Sequence, residues 1–304
     1  MSDLALSNPE SHLYDYLKEE VSIRLTDRIF DIKRHFPTIV DLGCYKGQIA
    51  DNLTDETVDR IICCSSSPNS LDKIEERRDL KIEKLLIDDE ENFKLEANSV
   101  DLVISNLYLH WVNDLPKLFG NIISTLKEDG VFIGSMFGGQ TLFELRCSLQ
   151  MAEMEREGGF GLHVSPFITP QDIGGLLNRA GFTLLTIDAD EIVVRYPSMF
   201  ELMYDLKGMA ENNALIRGRT HMNRDSLLAA AAIYNSIYGS DGSPKSEAVA
   251  TNKPDGIPAT FQIFYFIGWK PHPSQPKPLK PGSANFSLKD LAHLGKGNVN
   301  IKNE

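Results

Sequence analysis

The sequence has little cysteine and a deficit of positive charge. Four of the 304 residues are cysteine, and Cys63 and Cys64 are adjacent, a spacing that suits neither a C-x-x-C redox pair nor a zinc knuckle. We therefore expect no disulfide framework, and a reducing compartment fits best. Lysine and arginine number 31 against 43 acidic residues, which gives a net charge of −12. This balance argues against binding of nucleic acid or an anionic membrane through overall charge.

The sequence also lacks long apolar runs and a basic N-terminal segment. No apolar run reaches the roughly 20 residues of a transmembrane helix. Residues 1–20 contain acidic side chains and no arginine, which is typical of neither a secretory signal nor a mitochondrial transit peptide. If the protein is imported into mitochondria, we expect its presequence to be missing from this sequence or unusual.

Short apolar runs alternate with helical patterns through the first half of the chain. We predict strands at residues 38–42, 58–64, 82–87, 100–105 and 131–137, and helices at 14–36, 46–53, 68–78 and 115–127. These strands are continuous apolar runs, which are typical of a parallel sheet covered on both faces. In such a sheet the ligand crevice lies at the C-terminal ends of the strands.

The second half of the chain is predicted to be mostly helical. We expect helices at 141–155 and 169–181, a strand at 182–187, helical residues at 198–239 and a last strand at 261–269. Five prolines between positions 271 and 281 favour an extended C-terminal tail. The predicted organisation is one domain over residues 1–270, with a helical lid at about 189–258, and a proline-rich tail over 271–304.

A glycine loop follows the first predicted strand. Residues 39–47 read IVDLGCYKG, in which Asp41, Gly43 and Gly47 match an acid-x-Gly-x-Gly-x-Gly pattern. Glycine lets the backbone approach a bound cofactor closely. The segment resembles motif I of class I S-adenosylmethionine-dependent methyltransferases, which implies that these three residues bind that cofactor. Tyr45 stands where the middle glycine belongs, and its ring could fill part of the cofactor pocket.

Two further positions bear on the same cofactor. The family usually places an acid at the end of strand two, where this chain has Ser65, and a hydroxyl does not chelate the ribose diol as a carboxylate does. Asp89 lies 12 residues before Asp101, the spacing seen in the family when an acid contacts the adenine amino group. The predicted S-adenosylmethionine site therefore consists of Asp41, Gly43, Gly47, Ser65 and Asp89. We expect it to bind the cofactor weakly or not at all. The alternative is a strand–helix turn that binds nothing.

Four separated strings give a narrower resemblance. They are LHWVNDLP at 109–116, GSMFGGQTLFELR at 134–146, EREGGF at 155–160 and ATFQIFYFIGWK at 259–270. Together they resemble the mitochondrial complex I assembly factor 5 family, a relative of the malonyl-carrier methyltransferases of the biotin pathway, over about residues 14–291. The resemblance implies an α/β fold with a Rossmann-like, seven-stranded methyltransferase sheet, its last strand antiparallel beside the fifth. It also implies a place on the matrix side of the mitochondrial inner membrane and hydroxylation of an arginine in a complex I subunit.

Side chains near the predicted strand ends are candidates for contact with the substrate. His110 follows strand four and can exchange a proton near neutral pH, but with Trp111 it could equally form a packed pair that positions the next helix. Glu144 could hold a guanidinium through a bidentate pair, or could be an ordinary charge on a surface helix. His110 and Glu144 are the catalytic candidates, and Tyr45, Trp111 and Arg146 are assigned to the substrate pocket.

No metal site is predicted, because none of the seven histidines begins a His-x-Asp/Glu pair of the non-haem iron type. Three functions stay open. The first is a complex I assembly factor that hydroxylates an arginine, and the second is a non-catalytic assembly chaperone with a degenerate cofactor site. The third is a carboxyl methyltransferase of a small molecule or carrier protein. The expected partner is a complex I subunit rather than nucleic acid, and any peripheral membrane association would be through partners.

Overall fold

A computed structural model describes residues 2–215, 222–239, 256–277 and 282–283 of the protein. Seven strands in these residues form one sheet with the order β3-β2-β1-β4-β5-β7-β6. The strands are β1 (Phe36–Leu42), β2 (Val58–Ser65), β3 (Lys81–Leu86), β4 (Val100–Asn106), β5 (Leu126–Phe137), β6 (Thr183–Tyr196) and β7 (Ile257–Trp269). Strands β1 to β5 are parallel, whereas β7 runs antiparallel to both β5 and β6. The predicted seven-stranded sheet, including an antiparallel last strand beside the fifth, is confirmed.

Helices cover both faces of the sheet, and this burial explains the continuous apolar strands. The helices are α1 (Ser2–Leu6), α2 (Tyr16–Phe30), α3 (Gln48–Asn52), α4 (Pro68–Asp72), α5 (Leu115–Thr125), α6 (Phe143–Glu157), α7 (Pro170–Ala180), α8 (Met199–Gly208) and α9 (Arg224–Tyr238). Successive residues of β1 point to opposite faces. Ile39 packs in the cluster that includes α2, and Val40 packs in the cluster that includes α5 and α7.

The sixth strand is much longer than predicted. Its predicted end at residue 187 is wrong, because β6 pairs with β7 as far as Tyr196. The predicted lid therefore begins about eight residues too early, since residues 189–196 belong to the sheet. Strand β6 lies at the edge of the sheet, and its Asp188 forms an ion pair with Arg28 of α2 at 2.6 Å. The helix predicted over 68–78 also ends early, at Asp72.

The lid consists of α8 and α9, which lie in sequence between β6 and β7. Ser198 caps α8 by accepting a hydrogen bond from a backbone N–H, and Asn223 caps α9 in the same way. Helix α9 packs against α6. The hydroxyl of Tyr16 on α2 hydrogen-bonds to Tyr196 at the end of β6 and donates to Asp205 of α8 at 3.1 Å. These contacts hold the start of the lid against the main domain.

The chain consists of two units, Met1–Pro271 and His272–Glu304. Most of the predicted proline-rich tail lies outside the described residues. Within the described part of the chain, no helix is both long and apolar enough to cross a membrane.

Glu144 connects α6 to the last strand. Its side chain is buried, and its carboxylate accepts hydrogen bonds from the backbone N–H of Thr260 at 3.2 Å and from the Thr260 hydroxyl. The catalytic candidate of the sequence is thus engaged in a buried contact between two secondary-structure elements.

We predict that Glu144→Gln lowers the free energy of unfolding by about 1–3 kcal/mol, because one of the two oxygens that accept from Thr260 becomes an NH2 donor, which leaves a buried polar group unsatisfied. Urea unfolding measures the change. Glu155→Gln, at an exposed acid of the same helix, is the control and should differ little from wild type. Equal stability of the two variants would contradict this role of Glu144.

Candidate functional site

The loop between β1 and α3 adopts a backbone that requires two glycines. Gly43 and Gly47 have φ angles of 76° and 85°, in the left-handed region that other residues rarely adopt. A Cβ at Gly43 would lie 2.1 Å from Cγ of Tyr108. The backbone N–H groups of Gly43 and Cys44 donate to the carbonyl of Cys64 at 3.0 and 3.1 Å. The glycine loop is therefore tied to β2 and has no room for a side chain at its first glycine.

A small cavity lies beside this loop, where β1, β2 and β4 end. Its lining includes the predicted site residues Gly43, Tyr45, Ser65 and Trp111. Its volume is about 50 Å³, whereas ligand pockets measure about 300–1,000 Å³. The structure therefore brings these residues together around a space too small for a nucleoside cofactor.

Two tyrosine rings take up the space beside the loop. The ring of Tyr108 lies against Gly43, and Tyr45, with a φ of 49°, lines the same small cavity. The Nζ of Lys18 lies 4.1 Å from the centre of the Tyr45 ring, a cation–π contact. S-adenosylmethionine would need the space next to the glycine loop. The residues present do not fit this cofactor while Tyr108 is in this position.

The two predicted acidic cofactor ligands have different surroundings. Asp41 is fully buried at the end of β1, and neither carboxylate oxygen has a hydrogen-bond partner among the described residues. Burial raises the pKa of Asp41 to about 7. Asp89 is partly exposed, and its carboxylate accepts hydrogen bonds from the Glu91 N–H at 3.0 Å and the Asn92 amide. Neither Asp41 nor Asp89 lines the small cavity.

A third acid, Glu211, is missing from the residues that the sequence singled out. It follows α8, and its Oε2 lies 3.0 Å from Nε2 of His110, while its Oε1 lies 3.5 Å from Nζ of Lys18. Burial by itself would raise the pKa of Glu211. Attraction to His110 and Lys18, with the hydrogen bond to His110, outweighs burial and lowers this pKa below its ordinary value. Glu211 is therefore a buried carboxylate ion.

A larger cavity, of about 470 Å³, lies between α6, the lid helices and residues 162–167. Most of its lining is apolar, with leucines from α6 and Met203 and Leu206 from α8. Glu211 lines this cavity as well as the small one. A buried carboxylate thus lies at the boundary of the two cavities, beside the imidazole of His110. This arrangement can bind a cationic group and can pass a proton.

Glu144 and Arg146 do not line either of these two cavities. The Arg146 guanidinium donates two hydrogen bonds to the carbonyl of Gly139, at 3.1 and 3.2 Å. His110, by contrast, contacts Glu211 and packs with its ring centre 4.8 Å from that of Phe137. Neither catalytic candidate lines these cavities, but His110 contacts Glu211, which lines both, whereas Glu144 contacts Thr260.

The part of the chain that the structure describes contains no group of three or more histidine, cysteine, aspartate or glutamate side chains placed to hold a metal ion. Cys44, Cys63 and Cys64 are buried and not in disulfides.

We predict that Asp41 makes the protein less stable as pH rises. Its folded-state pKa of about 7 lies above that of an unfolded aspartate, so the folded state binds the proton more tightly. The stabilisation that protonated Asp41 adds to the free energy of unfolding is complete below about pH 4. It is lost as pH rises to about 7, with a total change of about 4 kcal/mol. The stability of Asp41→Asn relative to wild type should therefore increase from about pH 4 to about pH 7 and stay constant above pH 7. A difference in melting temperature that does not change with pH would contradict the assignment.

The chain resembles known proteins along most of its length. A family described as "Methyltransferase domain" matches residues 14–187. Arginine-hydroxylase NDUFAF5, mitochondrial, of Danio rerio is 48% identical over 294 residues, which are 97% of this chain and 87% of the relative. The human protein of the same name is 48% identical over 95% of this chain and 80% of its own length.

A more distant relative and a solved structure agree with the fold. The malonyl-[acyl-carrier protein] O-methyltransferase of Methylovorus is 31% identical over 84% of this chain and 82% of its own length. The BH2331 protein of Bacillus halodurans superposes with a TM-score of 0.54 at 13% identity, over 81% of this chain and 99% of that one. The family predicted from the four strings is confirmed: the chain carries a methyltransferase domain and belongs to the mitochondrial arginine-hydroxylase NDUFAF5 family.

Proposed function

We propose that this protein is a mitochondrial arginine hydroxylase that modifies an arginine of a respiratory complex I subunit and so serves assembly of that complex. The observation that carries the proposal is the identity of about half of all residues, over nearly the whole chain, with proteins named arginine-hydroxylase. The site agrees with it, because a buried carboxylate, Glu211, borders an apolar cavity of about 470 Å³. Such a cavity suits a side chain with an apolar stem and a cationic end.

The proposed place of action is the matrix side of the inner membrane, with a protein as substrate. The net charge of −12 counts against nucleic acid as a partner and leaves an arginine-bearing protein surface favourable. Membrane association would then be peripheral and would come through the partner subunit.

A second candidate function is a non-catalytic assembly chaperone. The observation that favours it is the small cavity, which Tyr45 and Tyr108 leave with about 50 Å³. A methyltransferase of the carboxyl-methylating kind is less well supported, because its methyl donor would need that same space.

We predict that the wild-type protein binds S-adenosylmethionine weakly, and that Tyr45→Gly combined with Tyr108→Ala raises the affinity by at least about tenfold, or 1.4 kcal/mol. The physical reason is that both rings adjoin the glycine loop, whose Gly43 and Gly47 are intact. Isothermal titration calorimetry measures both proteins. Tyr204→Ala removes an exposed tyrosine and is the control. No heat at millimolar ligand from either the wild type or the double variant would contradict a residual cofactor site.

We also predict that loss of the gene lowers assembled complex I and removes a mass increase of one oxygen atom from an arginine of one of its subunits. Mass spectrometry of complex I arginines, in knockout cells with and without re-expressed wild-type protein, measures both effects. If knockout cells fail to assemble complex I but its modified arginines keep their added oxygen, the chaperone function is favoured instead. Normal complex I in the knockout would contradict both assembly functions.

A further inference from the structure

We propose that Glu211 is the carboxylate that receives the guanidinium of the substrate arginine, inside the 470 Å³ cavity. The inference rests on the proposed hydroxylase function and assigns a residue to its substrate specificity. Glu144 was the residue predicted for this role, but it accepts its hydrogen bonds from Thr260 and does not line the cavity.

The cavity is lined by exposed residues, by buried residues and by Glu211. Leu162 and Met203 line it and are 50% and 38% exposed, so the cavity reaches solvent at their edge. Leu206 and Val164 line it and are buried. The side chain of Glu211 is 5% exposed. An arginine entering at the exposed edge would lay its three methylene groups along apolar walls and bring its planar cation to the buried end.

The other acids nearby, Glu153 and Asp205, do not line the cavity. The carboxylate of Glu153 accepts from the backbone N–H of Gly161 at 2.6 Å and contacts His163 at 2.8 Å, and Glu153 does not line the cavity. Asp205 accepts a hydrogen bond from Tyr16 and likewise does not line the cavity. Glu211 is the acid whose side chain is both buried and part of the cavity wall.

The bonding of Glu211 leaves capacity for a guanidinium. A carboxylate offers about four acceptor positions. Oε2 accepts one hydrogen bond from His110, and Nζ of Lys18 lies 3.5 Å from Oε1, an ion-pair distance longer than a hydrogen bond. A guanidinium could therefore donate to Glu211 while Lys18 keeps its hydrogen bond to the carbonyl of Met209.

The lowered pKa of Glu211 agrees with this geometry, because the carboxylate is then ionised at neutral pH. A charged hydrogen bond in a buried site is stronger than one between neutral groups. A ligand of the same shape without the charge should therefore bind less well, and this difference distinguishes recognition by Glu211 from apolar packing alone.

The test compares N-acetyl-L-arginine amide with N-acetyl-L-citrulline amide, which has nearly the same shape and no charge, as ligands of the full chain in ligand-observed NMR. Wild type should bind the arginine compound at least about tenfold more tightly than the citrulline compound. Glu211→Gln should lose this preference. Glu153→Gln changes a buried acid that does not itself line the cavity, although its partner His163 does. It should keep the preference, because the charge of Glu211 is unchanged. Melting temperatures of both variants verify that each is folded.

Three results would overturn the assignment: no binding of the arginine compound to wild type, an unchanged preference in Glu211→Gln, or an equal loss in Glu153→Gln. Failure of the hydroxylase function itself is measured separately, by the arginine mark that re-expressed wild type restores in knockout cells. If re-expressed wild type restores the arginine modification but Glu211→Gln still prefers the arginine compound, only the role of Glu211 is rejected. If re-expressed wild type does not restore the arginine modification, the hydroxylase function is rejected.

Discussion

The ion contacts of Glu211 with His110 and Lys18 join three parts of the protein that are far apart in sequence. Lys18 lies on α2, His110 follows β4, and Glu211 follows the first lid helix. Removing one partner of a buried ionic group leaves the other charge unpaired, which typically costs about 3–5 kcal/mol. These contacts therefore stabilise the packing of the residue after α8 against α2 and the segment after β4, and Glu211 lines both the small and the large cavity.

The space beside the glycine loop differs from what the motif implies. Gly43 and Gly47 keep the backbone that the loop requires, yet the Tyr108 ring lies against Gly43 and Tyr45 replaces a third glycine. The methyltransferase fold is thus retained while the site for the nucleoside is closed. A fold does not by itself determine function, which is decided by the side chains at the site. In this protein the larger cavity is on the lid side, where Glu211 supplies the charge.

Much of the fold follows from local sequence. Strands β1 and β4 were predictable because both faces of the sheet are covered, so that their residues form continuous apolar runs. The end of β6 was not, because an edge strand carries charges such as Asp188 that pair with a neighbouring helix, and its pattern looks like a loop. Hydrogen bonds of β6 to β7, far away in sequence, decide its length.

Only those site residues that belong to a sequence motif or follow a predicted strand could be predicted. Gly43, Tyr45, Ser65 and Trp111 do meet around one cavity, as residues at the ends of adjacent parallel strands should. Glu211 belongs to no motif, and its significance comes from packing against α2 and the segment after β4. The position of Glu144 depends equally on a partner more than 100 residues away in sequence.

The most direct measurement is a crystal structure of the protein with N-acetyl-L-arginine amide bound. The account predicts the guanidinium in the large cavity, with its nitrogens about 3 Å from the Glu211 carboxylate and the methylene groups along the apolar wall. A guanidinium bound at another carboxylate, or at the protein surface with the large cavity empty of ligand, would contradict it.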